Sequence, residues 1–104
     1  VDKAAVAELV DLPAAGRRAQ SDMQYVYVIR STTRRYIYVG ISNNIDRRLN
    51  EHNKGKEKTT KPYRPFELIM TEVFENRIDA RQREKYLKSG SGKEYIKSLI
   101  KKLY

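Results

Sequence analysis

The sequence predicts an α/β chain of the α+β type, with its elements in the order β-β-α-β-α-α. Three observations carry this reading. Two runs of β-branched and aromatic residues are separated by only four polar ones, which reads as an antiparallel hairpin. A third such run lies further on. Between and after the strands, apolar residues recur at helical spacing and are bounded by cap residues, glycine or proline.

Residues 1–22 read as an N-terminal appendage or linker, native or non-native. Asp2 would cap a short helix reaching Leu9 or Val10, and Pro13 would end it. Residues 23–104 form the domain. Tyr25 to Ser31 is the first strand, Thr32 to Arg35 the turn and Tyr36 to Ile41 the second strand. Ser42-Asn43-Asn44 offers cap chemistry for a helix from Ile45 to Asn53. Asn53 to Pro65 is a polar, basic loop, and Phe66 to Phe74 a third strand. A helix spans Arg77 to Lys88, breaks at Ser89-Gly90-Ser91-Gly92, and a last helix follows from Lys93 to Lys101.

The chain of 104 residues carries 22 Lys and Arg against 13 Asp and Glu, a net charge of +9. The excess is uneven: residues 1–22 are net −1, and the remainder is net +10. So concentrated a positive charge points to a polyanion, with a solvated basic surface as the alternative. The absence of cysteine rules out disulfides and thiolate metal sites and fits a reducing, cytoplasmic setting. A single histidine rules out a His-rich metal centre. No run approaches the roughly 18 apolar residues of a membrane span, and no signal-peptide pattern opens the chain.

Ile45, Arg48, Leu49 and His52 fall at i, i+3, i+4 and i+7, one helical stripe. Ile45 and Leu49 should face the sheet, leaving Arg48 and His52 at the margin of the core. Arg48 then needs a partner, either a structural carboxylate such as Glu84 or an anionic ligand. Glu84 sits between Ala80 and Leu87 on the stripe of the later helix, so it is either paired or available to a cation. One carboxylate with substrate oxygens and water is a common way to hold Mg²⁺. Tyr25, Tyr27, Tyr36 and Tyr38 could be cross-strand packing pairs, but phenylalanine would pack there without needing a hydroxyl partner. The loop cations Lys54, Lys56, Lys58, Lys61 and Arg64 are candidates for tracking a nucleic-acid backbone, and Thr59-Thr60 for adding hydroxyl contacts to phosphate.

Taken in order, Tyr25-Val26-Tyr27 and Tyr38-Val39-Gly40, then Arg47-Arg48-Leu49 and His52-Asn53, resemble the GIY-YIG nuclease superfamily. Tyr27 and Tyr38 are 11 residues apart, Arg48 lies 10 beyond Tyr38, and His52 four further on. Pro65-Phe66-Glu67-Leu68 and the run from Ala80 to Lys88 extend the resemblance over residues 24–100, nearest to the small stand-alone bacterial branch. The resemblance implies a three-stranded antiparallel sheet flanked by helices and a metal-dependent DNA endonuclease using Mg²⁺ or Mn²⁺. It implies Tyr27 as general base, Tyr38 as the residue positioning water or phosphate, Arg48 as the phosphate ligand, His52 as an auxiliary group and Glu84 as the metal ligand. Arg48 beside Tyr27 would favour phenolate-like character. Tyr25 stands where the first motif has glycine. The asparagine that some relatives carry beyond the glutamate has no counterpart here, leaving Ser89 or Ser91 as substitutes. The alternative function on the same fold is a catalytically weak or inactive nucleic-acid-binding module.

Overall fold

The computed structural model describes residues 23–103, so the helix expected near the N-terminus lies outside the described residues. Strands β1 (Gln24–Ser31) and β2 (Ile37–Ser42) form the hairpin. Its turn is closed by Ser31, whose Oγ accepts from the amides of Thr33 and Arg34 at 3.1 and 3.0 Å. Helix α1 (Ile45–Asn53) is capped by Asn44, whose side chain accepts from the Arg47 amide at 3.0 Å. The helix ends at Gly55, whose φ of 78° is the left-handed conformation that favours glycine there. A 3₁₀ turn (Lys61–Tyr63) precedes strand β3 (Phe66–Phe74). The Asn53 side chain ties the end of α1 to that strand, accepting from the Phe66 amide at 2.6 Å.

The sheet order is β2-β1-β3, with both pairings antiparallel and β1 in the centre. This α+β, three-stranded antiparallel arrangement matches the expected fold class. The two faces of β1 feed two separate cores, because alternate strand residues point to opposite sides. On one face Val26 and Val28 join Val39, Ala80, Leu87 and Ile96, under helices α2 (Arg77–Lys88) and α3 (Gly90–Leu103). On the other face Tyr27 and Ile29 pack with Phe66 and are covered by Ile45 and Leu49 of α1.

The last helix begins earlier than its glycines suggest, at Gly90 rather than Lys93. Only Ser89 separates α2 from α3. Its hydroxyl donates to the Tyr86 carbonyl at 2.6 Å and accepts from the Gly92 amide at 3.2 Å, so Ser89 is occupied as a cap. Gly92 is there for close approach: a Cβ would lie 2.1 Å from the Tyr86 carbonyl oxygen and 2.5 Å from the Leu87 Cα. The two helices cross too tightly for any side chain at this position.

Candidate active site

Tyr27 stands in the middle of β1, on the face covered by α1. Its ring runs across Gly40, its register partner on β2, and a Cβ at position 40 would fall 2.6 Å from the phenol oxygen. The glycine after Tyr38-Val39 therefore makes room for the Tyr27 hydroxyl. Tyr38 shares this face, with its ring centroid 6.2 Å from that of Tyr27 and 4.9 Å from the His52 ring. Helix α1 adds His52 and Arg48, four residues apart and hence on one side.

His52 is not at the margin of the core, as its position on the stripe suggests, but completely buried. The reason is that both ring nitrogens have partners. Nε2 lies 2.9 Å from the Tyr27 hydroxyl and Nδ1 lies 2.8 Å from Thr60 Oγ1. Assigning the Thr60 proton to the Glu57 carbonyl, 3.4 Å away, makes Thr60 the acceptor from Nδ1–H. Nε2 is then a bare acceptor, and Tyr27 O–H donates to it. A chain of three hydrogen bonds results: phenol to imidazole, imidazole to threonine, threonine to backbone carbonyl.

Burial above all, then the neighbouring Tyr38 phenol, push the Tyr27 pKa well above that of an ordinary tyrosine. The Arg48 charge pulls the other way, as the sequence suggests, but does not prevail. Burial, reinforced by the Arg48 charge, holds His52 below the ordinary histidine value. At neutral pH the pair is thus a neutral phenol donating to a neutral imidazole. Burial also works against the charge on Arg48, but its hydrogen bond to Glu51 and the nearby phenols more than compensate, so its pKa is raised.

Of the partners open to Arg48, Glu84 is not the one it takes. Arg48 Nη1 bonds Glu51 at 2.9 Å, and Nη2 lies 3.6 Å from Glu57. Glu84 belongs to α2, which packs on the opposite face of the sheet. It is buried, at 8% exposure, and its oxygens are engaged by Lys88 at 3.1 Å and Arg81 at 3.4 Å. The structure therefore brings Tyr27, Tyr38, Arg48 and His52 together and holds Glu84 on the other side. Beside Arg48 opens a polar cleft of about 370 Å³, lined also by Ser42, Asn43, Arg47 and Arg77.

Among the described residues no three His, Asp or Glu side chains converge on one cation position. Glu84 alone still suits a divalent ion as a hard-oxygen anchor. Its two partners are cations on exposed, flexible stems that a metal could displace, and water and substrate oxygens would complete the shell. The loop side chains Lys54, Lys56, Lys58, Lys61 and Arg64 are all exposed, and none forms an ion pair within 4 Å among the described residues. Thr60 is the residue that sequence reasoning misplaces: it is fully buried behind His52 and cannot touch phosphate. Its spacing of eight from His52, across a polar loop, gives no periodic signal.

The model of the GIY-YIG catalytic domain matches residues 23–97. A UPF0213 protein of Clostridium perfringens is 37% identical over 67 residues, covering 64% of this chain and 71% of the relative. A second, from Syntrophus aciditrophicus, is 37% identical over 79 residues, covering 74% of this chain and 88% of the relative. The solution NMR structure of a UPF0213 protein from Bacillus halodurans is 32% identical, covers 74% of this chain and 84% of its own, and superposes with a TM-score of 0.46. The family match spans both tyrosine strands, the arginine–histidine helix and the glutamate helix, and by it the chain belongs to the GIY-YIG catalytic-domain family.

Proposed function

We propose that this protein is a metal-dependent DNA endonuclease hydrolysing phosphodiester bonds. The observation that carries the reading is the convergence of Tyr27, Tyr38, Arg48 and His52, with a hydrogen bond between phenol and imidazole and a polar cleft at Arg48. In this reading the attacking water gives its proton to Tyr27 as the Tyr27 proton passes to His52 Nε2. In a concerted transfer no free phenolate is formed, so the raised proton affinity of the buried phenol does not block the step. Tyr38, half-buried at the surface of the cluster, orients the water or the phosphate. Arg48 stays charged throughout and neutralises charge that develops on the phosphate oxygens. Glu84, on the opposite face of the sheet, is the residue that would hold Mg²⁺ or Mn²⁺, and the ion when bound would supply Lewis-acid chemistry. The exposed loop cations from Lys54 to Arg64 would hold the DNA backbone, and the cysteine-free composition accords with a cytoplasmic setting.

The direct test is incubation with labelled single-stranded, duplex, flap and branched DNAs. Cleavage of at least one is expected with Mg²⁺ and none with EDTA. Binding without cleavage on every substrate and metal would leave the alternative, a nucleic-acid-binding module, as the function.

Thr60 acts here as a positioning residue, because it decides which His52 nitrogen is bare. Thr60→Val leaves Nδ1–H unpaired in the core, at a cost of about 1–3 kcal/mol, and should lower the cleavage rate. Thr60→Ser should restore both. The pH dependence has a definite sign. The folded pKa of His52 is depressed, so the unfolded chain takes up a proton first as pH falls below about 6.5. The stability contribution is complete above that value and lost as pH falls towards the folded pKa. The cleavage rate should fall on the same acid limb, where His52 can no longer accept a proton. Thermal melts and single-turnover rates between neutral and mildly acidic pH, on wild type and Thr60→Val, check both; a Thr60→Val protein with the wild-type rate profile would remove the positioning role.

A further inference from the structure

A second basic surface lies away from the Lys54–Arg64 loop. A groove of about 1160 Å³ wraps the outer edge of β2, one of the two edge strands of the sheet. That exceeds the roughly 300–1,000 Å³ of a small-molecule pocket and suits a length of polymer. Arg34 and Arg35 of the hairpin turn form one wall, and Lys88, Lys93 and Lys97 form the other. Among the described residues no acidic side chain lines it. Lys88 is shared with Glu84, and Lys97 meets the exposed Glu94 at 3.7 Å, a separation at which a surface pair contributes little. Arg34, Arg35 and Lys93 make no ion pair within 4 Å among the described residues.

The space between these walls is apolar, with Ile37, Ile96 and Ile100 on the helix-covered face of the sheet, and Tyr36 and Tyr38 only border it at the strand edge. Duplex DNA would offer this surface only phosphates, because its base faces are stacked away. An unpaired strand offers both phosphates for the walls and base faces for the floor, the combination that single-strand-binding grooves use. Tyr38 borders the groove and also belongs to the active-site cluster, so the groove and the cluster meet at this residue.

We infer that this groove seats an unpaired nucleic-acid strand and leads it past Tyr38, an inference that rests on the nuclease reading and narrows its substrate class. The test is fluorescence anisotropy in EDTA over a series of salt concentrations, using a labelled single-stranded oligonucleotide and the same sequence as a blunt duplex. Wild type should bind the single strand more tightly. The Arg34→Glu/Lys93→Glu double variant should weaken single-strand binding and flatten its salt slope by about 1.4, at roughly 0.7 for each phosphate that Arg34 or Lys93 no longer neutralises. It should leave duplex binding near wild type, whereas Lys56→Glu/Lys58→Glu should weaken both. All four positions are exposed, and Arg34→Gln/Lys93→Gln serves if charge reversal disturbs folding. Unchanged single-strand affinity and slope in the groove variants, or a wild-type preference for duplex, overturns the groove while leaving the nuclease reading intact. Displacement of the strand by polyglutamate at matched charge would show an unspecific anion surface and also overturns it. Failure of wild type to bind either oligonucleotide removes both.

Discussion

Tyr27→Phe is expected to cut single-turnover cleavage by about 10²–10⁴-fold, the usual contribution of a general base. That is roughly 3–5 kcal/mol of barrier at about 1.36 kcal/mol per decade. The fold should survive. The ring remains in place over Gly40, and the lost hydroxyl leaves one buried acceptor, His52 Nε2, without its donor. That omission costs about 1–3 kcal/mol of stability, visible as a modest fall in Tm. DNA affinity in EDTA should match wild type, because a buried phenol does not reach the DNA backbone. Rate and stability effects are thus separable on one variant. A Tyr27→Phe protein that cleaves at the wild-type rate would show that the hydroxyl only secures His52.

Glu84→Gln should abolish cleavage while preserving fold and binding. The substitution is nearly isosteric, and the partners it affects, Arg81 and Lys88, have exposed side chains that can return to solvent. Glu84 itself is buried, but an amide of the same shape leaves neither cation stranded in the core, so the loss of stability should be about 0.5–1.5 kcal/mol. Loss of the carboxylate removes the charge that would anchor a divalent ion, and Mn²⁺ binding followed by electron paramagnetic resonance should weaken along with activity. Undiminished cleavage by Glu84→Gln would sink the metal role. Abolished cleavage with unaltered Mn²⁺ binding would shift Glu84 to a role in positioning Arg81 or Lys88.

Much of the architecture is legible in local chemistry. Asn44 caps α1 because a short amide side chain there can reach the Arg47 amide, and that signal needs only four consecutive positions. The alternation Val26, Tyr27, Val28, Ile29 already separates two faces, and the structure packs the valines among mainly aliphatic residues and Tyr27 and Ile29 among mixed aromatic and aliphatic ones. The stripe through Ala80, Glu84 and Leu87 correctly buries a carboxylate. The start of α3 is not legible in the same way, because glycine reads locally as a helix breaker. At Gly92 it serves a close helix crossing, a requirement that exists only once α2 and α3 meet.

By itself the sequence determined the elements, the side chains that turn inward and the set of groups able to act on a phosphodiester. It could not determine which inward-facing groups meet. Helical periodicity places Arg48 and Glu84 at a core boundary, but it does not say on which side of the sheet each helix packs. The tertiary structure put α1 on the tyrosine face and α2 on the valine face. Arg48 therefore pairs with Glu51 and Glu57 from its own side, and Glu84 with Arg81 and Lys88 from its own helix. The same packing buried His52, and a buried imidazole must have both nitrogens satisfied. Thr60, an unremarkable loop threonine in the sequence, acquires its role from that one requirement.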